Sequence, residues 1–285
     1  MNWMKHLSIY FLISALIIVP GIYSLIRFGL KPSIEFTGGT RLTIENIKSN
    51  PDMIFHSFKD YSPSLEDKNS SYITIKTKNI SQEIAEKAID TVKKDNPELK
   101  ITSFESIGAA LGKETIKKTL YALIISSIML LLYISFAFKK VKYGVCAVIA
   151  MLHDSLIMLG SFSLLGHFYG VEIDLLFVTA VLTILSFSTH DTIVVYDRIR
   201  ELSHKNKGVD FTTLVNQAVT ETMVRSLNNS LTIIFMLIAL FLIGGETTRY
   251  FALALLIGTI TGTYSSTFTA APLLIVWENF FGKKK

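Results

Sequence analysis

Cysteine and charge are what this 285-residue sequence has least of. Its one cysteine, Cys146, lies inside an apolar stretch, which excludes a disulfide framework and a cysteine-built zinc site. Asp, Glu, Lys and Arg make up only 18% of the chain, while half of it is hydrophobic. That balance sets it apart from ordinary water-soluble proteins and places it in the membrane class. No glycine-rich nucleotide-binding loop is present either, so ATP hydrolysis has to occur elsewhere. The formal charge of +5 is unevenly spread: residues 31–117 hold 13 basic and 13 acidic residues, which leaves the surplus to the apolar remainder. A basic balance of that kind signals membrane topology, not nucleic-acid binding.

What the sequence does have is long apolar runs. About 20 such residues span a bilayer as a helix, and six stretches qualify: Leu7–Ile26, Thr119–Phe138, Tyr143–Leu165, Leu175–Tyr196, Leu227–Ile243 and Tyr250–Trp277. The first has a long uncharged run and no small-x-small cleavage signal before Arg27, so it reads as a retained anchor. Basic residues then set the orientation. With the N-terminus inside, Lys5, Lys139, Lys140, Lys142, the 198–226 loop and Lys283–Lys285 are cytoplasmic, and the short outer loops 166–174 and 244–249 hold only Arg249. The expected topology is N-in and C-in, multi-pass.

The fold expected is a polytopic α-helical membrane protein: a first helix (residues 1–29), one extracytoplasmic α+β domain (30–117) and a five-helix membrane domain (118–285). In the outer domain, Arg41–Glu45 and Tyr72–Lys76 alternate apolar and polar residues as half-buried strands do, and a third strand runs near Leu99–Phe104. Ile84, Ala85, Ala88, Ile89 and Val92 recur at helical spacing behind Ser81, a suitable N-cap. In the 198–226 loop, Phe211, Leu214, Val215, Ala218 and Val219 predict an amphipathic helix, suited equally to the membrane surface, a partner or its own bundle.

Four ionisable residues fall inside spans: His153 and Asp154 in the third, His190 and Asp191 in the fourth. Such groups are costly in lipid, face the bundle interior and mark ion or proton paths. Asp191 lies in a polar run, Ser186–Thr192, six residues before an expected helix end at Asp197/Arg198, about 10 Å deep. Arg225, drawn to the boundary before the fifth span, is its expected partner, with Asn228, Asn229 and Ser230 nearby. An aspartate alternating between a proton and an arginine would serve as a relay; the competing reading is a fixed polar contact between helices. Asp154 divides evenly between the two, and for the histidines a hydrogen-bonded helix residue is the commoner case. A metal site would need both His-Asp pairs to converge, because adjacent helix residues point about 100° apart. In the last span Gly258, Gly262, Ser266 and Ala270 form a small-residue face for close packing, and Pro272 is placed to kink the helix.

Several motifs together resemble the SecD/SecF protein-export family. Glu35-Phe36-Thr37-Gly38-Gly39-Thr40 is similar to its Asp-Phe-x-Gly-Gly signature, in which the glycines suit a tight turn with positive φ. Ser106-Ile107-Gly108 through Leu111-Gly112-Lys113-Glu114 resembles its second outer-side motif. His190-Asp191-Thr192-Ile193-Val194-Val195-Tyr196-Asp197-Arg198-Ile199-Arg200-Glu201 is similar to the family's fourth-span motif almost throughout. Gly262–Ser266, Ala270–Leu274, Arg225-Ser226-Leu227 and His153-Asp154 fit as well. Glu35, Ala109 and His190 depart from the usual Asp, Pro and Asn.

The resemblance implies a non-enzymatic subunit of the resistance-nodulation-division type. It would act with SecD and the Sec channel and accessory subunits on preprotein substrates, driven by the proton gradient or by sodium, with no other cofactor. Asp191 and Arg225 are then the leading coupling residues, with Asp154, His153 and His190 secondary. A stand-alone homodimeric exporter and a non-transducing scaffold of the Sec complex are the rival readings.

Overall fold

The computed structural model describes residues 3–47, 51–68, 71–93 and 96–281; the basic tail Lys283–Lys285 lies outside them. In chain order, a 3₁₀ turn (Trp3–His6) leads into α1 (Leu7–Arg27), α2 (Ile34–Thr37), β1 (Gly39–Glu45), α3 (Pro51–Ser57), β2 (Ser64–Lys68), β3 (Tyr72–Thr77), α4 (Gln82–Lys93) and β4 (Lys100–Ile107). There follow α5 (Ala109–Ala137), α6 (Val141–Tyr169), α7 (Leu175–Lys205), α8 (Phe211–Ile243), α9 (Glu246–Ser265), a π turn (Ser266–Ala270) and α10 (Ala271–Phe281). Two compact units result, Met1–Lys31 with Ala122–Lys285, and Pro32–Tyr121.

The smaller unit is an antiparallel sheet in the order β2-β3-β1-β4. Alternation along β1 and β3 buries Leu42, Ile44, Ile73 and Ile75 on one face, where they meet Ala85, Ile89 and Val92 of α4 and Ile54 and Phe58. At about 25 cal/mol per Å² of apolar surface, this cluster is the unit's main source of stability. On β1, Arg41 is bound at 2.8 and 2.7 Å to both carboxylate oxygens of Glu66 on β2. The strands expected at Arg41–Glu45, Tyr72–Lys76 and Leu99–Phe104 are β1, β3 and β4. β2 carries no such pattern: Ser64-Leu65-Glu66-Asp67-Lys68 has a single apolar residue, and backbone pairing with β3 makes it a strand.

The Gly38-Gly39 turn is built as the motif demands. Both residues have positive φ, +72° and +130°. A Cβ on Gly38 would lie 2.6 Å from the Cα of Ala109, and one on Gly112 would lie 2.6 Å from the Phe36 carbonyl oxygen. The two outer-side motifs are therefore pressed together within one unit.

In the larger unit all six apolar segments are helices long and apolar enough to cross a membrane. They are not equivalent. About half of the apolar stretch of α6 (56%), α7 (50%) and the α9–α10 segment (44%) is buried, against 17% for α1, 6% for α5 and 17% for α8. The first three form the inside of the bundle and the others its rim. At one end, Met4, Phe138, Tyr143, Leu202, Leu214 and Ile275 share a core. That brings the N-terminal turn, the α5–α6 turn, the α7–α8 turn and α10 together. Lys142 binds Glu278 there at 2.7 Å, and Arg200 donates to the Ala137 carbonyl at 3.1 Å.

Residues 198–226 are mostly helix. α7 continues past Asp197 to Lys205 because Ile199 and Leu202 still face the core. α8 starts at Phe211, where the Asp210 carboxylate caps the Thr213 amide at 3.2 Å. Leu214, Val215, Ala218 and Val219 are buried in the chain's own bundle, which decides among the three settings open to that amphipathic stretch. The last span is broken as Pro272 implied, but the break takes the form of a π turn just before the proline. Pro272 has no amide hydrogen to continue the α pattern, and the Tyr196 hydroxyl donates to the Ala270 carbonyl at 3.0 Å.

α1 and α6 are joined more closely than their sequences show. A Cβ on Gly160 would lie 2.6 Å from the Cα of Gly21, while Ser24 and Ser163 share a 2.8 Å hydrogen bond. Gly160→Val is expected to force the helices apart and lower stability by about 1–3 kcal/mol, the usual cost of overpacking. Gly245→Ala, with nothing within 4 Å, serves as the neutral control. Thermal unfolding of the two detergent-purified variants checks this; equal melting temperatures would refute the close contact.

Candidate functional site

Two polar centres lie inside the bundle, and each contains one of the aspartates singled out above. Asp154 on α6 is completely buried. One of its oxygens is 2.9 Å from Nδ1 of His153; the other accepts from Ser188 of α7 at 2.5 Å and from Ser265 of α9 at 2.6 Å. His153 Nε2 is in turn 2.9 Å from the Ser14 hydroxyl on α1. Three helices thus meet at one carboxyl group, and α1 joins them through His153. Beside it the Tyr264 ring stacks on the imidazole at 6.4 Å between centroids, and its hydroxyl donates to the Tyr10 carbonyl at 2.8 Å.

Asp191, just under one turn beyond Ser188, is also buried. Its carboxylate accepts from the Ser226 hydroxyl of α8 at 2.7 Å. Among the described residues no ion pair within 4 Å links it to Arg225, the partner expected from the sequence. The serine next to that arginine makes the contact instead, while Arg225 is exposed. Arg225 lines a cleft of about 490 Å³ between α7 and α8, together with Val194, Asp197, Arg198, Glu201, Glu221 and Thr222. Arg198 crosses this cleft, pairing with both Glu201 and Glu221. The arrangement is a buried acid held by a hydroxyl next to an open, charged cleft.

His190 is exposed and points away from the core that holds Asp191. The His-Asp pairs therefore do not converge, and among the described residues no group of three or more His, Cys, Asp or Glu could hold a metal ion. Gly258 and Gly262 press α9 onto α7: a Cβ on Gly258 would meet Ile184 Cγ1 at 2.3 Å, and one on Gly262 would meet Ser188 Cβ at 3.2 Å. Ser266 is buried and donates to the Thr263 carbonyl at 3.1 Å. The close packing at Gly262 is what brings the following turn, with Ser265, over Asp154. Ser188 and Ser265 as partners of Asp154, and Ser14 as partner of His153, are not legible in the sequence. Ser188 and Ser265 lie in polar stretches that do not say which acid they serve, and Ser14 is a lone hydroxyl in an apolar run.

Six apolar helices with two aspartates buried among them, and an α+β unit inserted after the first helix, define a multi-pass helical membrane protein. The family described as "Protein export membrane protein SecD/SecF, C-terminal" matches residues 86–280, and the "SecD/SecF GG Motif" matches residues 23–45. The chain belongs to the SecD/SecF family of protein-export membrane proteins, as a SecF-type translocase subunit and not an enzyme. It is 42% identical to the protein translocase subunit SecF of Thermobaculum terrenum, over 95% of this chain and 92% of that protein. It is 35% identical to the SecF subunit of Anaerolinea thermophila, over 98% and 94%. Among solved structures it superposes on SecDF of Thermus thermophilus, a translocon-associated membrane protein, with a TM-score of 0.85 at 29% identity. That match covers 98% of this chain and 39% of the SecDF chain.

The α7–α9 contact makes its own prediction. Gly258→Ala is expected to destabilise the bundle by about 1–3 kcal/mol through collision with Ile184. Adding Ile184→Ala should recover part of that loss, because the two positions touch and their effects are not additive. Denaturation of the single and double variants tests it; strictly additive losses would mean that the two helices do not meet here.

Proposed function

We propose that this chain works with a SecD partner in the Sec translocase, using the proton-motive force to complete preprotein export across the cytoplasmic membrane. The observation that carries the reading is Asp191: a buried acid on an inner helix, bonded to Ser226 and adjoining the charged cleft lined by Arg225. A proton arriving through such a cleft would neutralise the carboxylate, and its departure would leave an anion within the influence of Arg225. Neutralisation weakens the attraction to an arginine and ionisation restores it, so the α7–α8 contact can follow the proton.

The SecD partner is supported by the outer face of α7. Thr179, Thr183, Ser186 and His190 are all exposed and fall on one stripe of that helix. An imidazole facing lipid within a span is costly, and a protein neighbour removes the cost. The N-in, C-in orientation is supported by the shared end of the bundle, where Lys142, Arg200 and the 3₁₀ turn that starts at Trp3 lie together. The outer unit of residues 32–121 is then the part that would meet preproteins.

Asp191→Asn is expected to leave expression and SecD association intact while abolishing the gradient-stimulated release of a pre-translocated preprotein from membranes. Arg225→Lys should keep the charge but lose the guanidinium geometry, and release should fall by about tenfold or more. Gradient-stimulated release that survives Asp191→Asn would leave the residue a structural contact and favour the scaffold reading. Purification of the chain with itself alone, and without SecD, would favour a homodimeric exporter.

A further inference from the structure

The Asp154 centre has features that a fixed helix contact does not need. The carboxyl group is fully buried, yet among the described residues no lysine or arginine contacts it. Among the described residues its one basic neighbour is His153, itself almost fully buried and the side chain whose charge ordinarily changes near neutral pH. The other titratable groups facing the pair are Tyr264 of α9, stacked on the imidazole, and Tyr10 of α1 behind it; Asp191 lies on α7 three residues beyond Ser188. An isolated buried carboxylate is strongly disfavoured, and so is an isolated buried imidazolium. One proton shared between the two residues leaves the pair neutral overall, and gain or loss of a proton leaves a net charge in a dry core.

We propose that His153 and Asp154 form a second proton-binding site, separate from Asp191, whose protonation sets how α1, α7 and α9 are held against α6. The proposal rests on the proton-coupled reading of this chain and extends it from one acid to two.

The hydrogen bonds show how a proton would be read out. With Asp154 ionised, it accepts from His153, Ser188 and Ser265 together, tying α6, α7 and α9 to one group. A proton on the carboxyl turns one acceptor position into a donor, so a hydroxyl bond has to reverse or open if the proton sits on the oxygen facing the serines, and the His153 contact if it sits on the other. With the imidazole neutral and its proton on Nδ1, Nε2 accepts from Ser14; once the ring is protonated, Nε2 donates, and the Ser14 hydroxyl must turn its proton elsewhere. The segment that would yield is adjacent. Ser265 is the last residue before the π turn Ser266–Ala270, and within that turn the buried Thr269 hydroxyl has no hydrogen-bond partner among the described residues. The turn ends two residues before Pro272, a place where the α ladder is already interrupted and a local shift costs least.

The test is pH-difference infrared spectroscopy on the full chain reconstituted with SecD. The wild type should show a protonated-carboxyl band that titrates, survives in Asp191→Asn and is absent in Asp154→Asn. His153→Gln, which keeps the hydrogen bonds but cannot titrate, should move that band's midpoint by about one pH unit or more. If Asp154→Asn does not fold, Ser188→Ala and Ser265→Ala each remove one donor and should shift the same midpoint. A pH-independent spectrum would overturn the proposal, as would a carboxyl band lost only in Asp191→Asn or a midpoint indifferent to His153 and both serines. Failure of the Asp191 reading shows separately, as gradient-stimulated release that persists in Asp191→Asn while the Asp154 band titrates normally.

Discussion

A carboxyl group with no access to water, set among apolar helices, must find its hydrogen bonds in those helices. Much of the bundle follows from that requirement at Asp154. Ser188 and Ser265 reach the same oxygen only if α7 and α9 lie against α6 at close range, and His153 extends the demand to Ser14 on α1. In lipid the hydrophobic effect does not hold helices together, since the tails are as apolar as leucine. Packing and hydrogen bonds must do it. The glycines fit this account: Gly258 and Gly262 let α9 settle on α7, and Gly21 and Gly160 let α1 settle on α6. Close approach and the polar centre are two parts of one arrangement, because hydroxyls as short as serine's cannot bridge a wider gap.

The division into inner and outer helices has the same origin. α6, α7 and α9 carry the polar side chains that cannot face lipid, and they are the buried ones. α5 carries no Asp, Glu, His, Lys or Arg in its membrane stretch, and large side chains such as Ile125, Met129, Leu132 and Phe136 stand exposed on it. The two aspartates nevertheless sit in different surroundings. Asp154 is enclosed on every side, whereas Asp191 has one hydroxyl partner and an open charged cleft beside it. Each bonds across helices, Asp154 to α7 and α9 and Asp191 to α8.

The smaller unit is governed by backbone geometry. Gly38 and Gly39 occupy a region of φ that other residues rarely enter, and Gly112 lets the start of α5 lie against the Phe36 carbonyl. This explains why two motifs about 70 residues apart both depend on glycine. Each supplies the space into which the other packs.

Helices and the main strands were legible in the sequence because their signals are local. Twenty apolar residues make a span wherever they occur, and alternation along Arg41–Glu45 makes a half-buried strand. Both aspartates stood out for the same reason, as charges within apolar runs. β2 was not legible, because its strand character comes from β3. The start of α8 at Phe211 is legible in its amphipathic pattern, whereas the extension of α7 past Asp197 is not, because Ile199 and Leu202 are core residues in a mixed sequence. Nor could the sequence choose the partners of the acids. Arg225 was the expected neighbour of Asp191, but on a helix consecutive residues point about 100° apart, and it is Ser226 that faces the carboxylate. By itself, then, the sequence determined the number of spans, the inserted α+β unit, the family and the identity of the buried acids. Only the tertiary structure decided which hydroxyls satisfy them, because that depends on how six helices are rotated and how closely they approach, and rotation leaves no local trace in a chain of apolar residues.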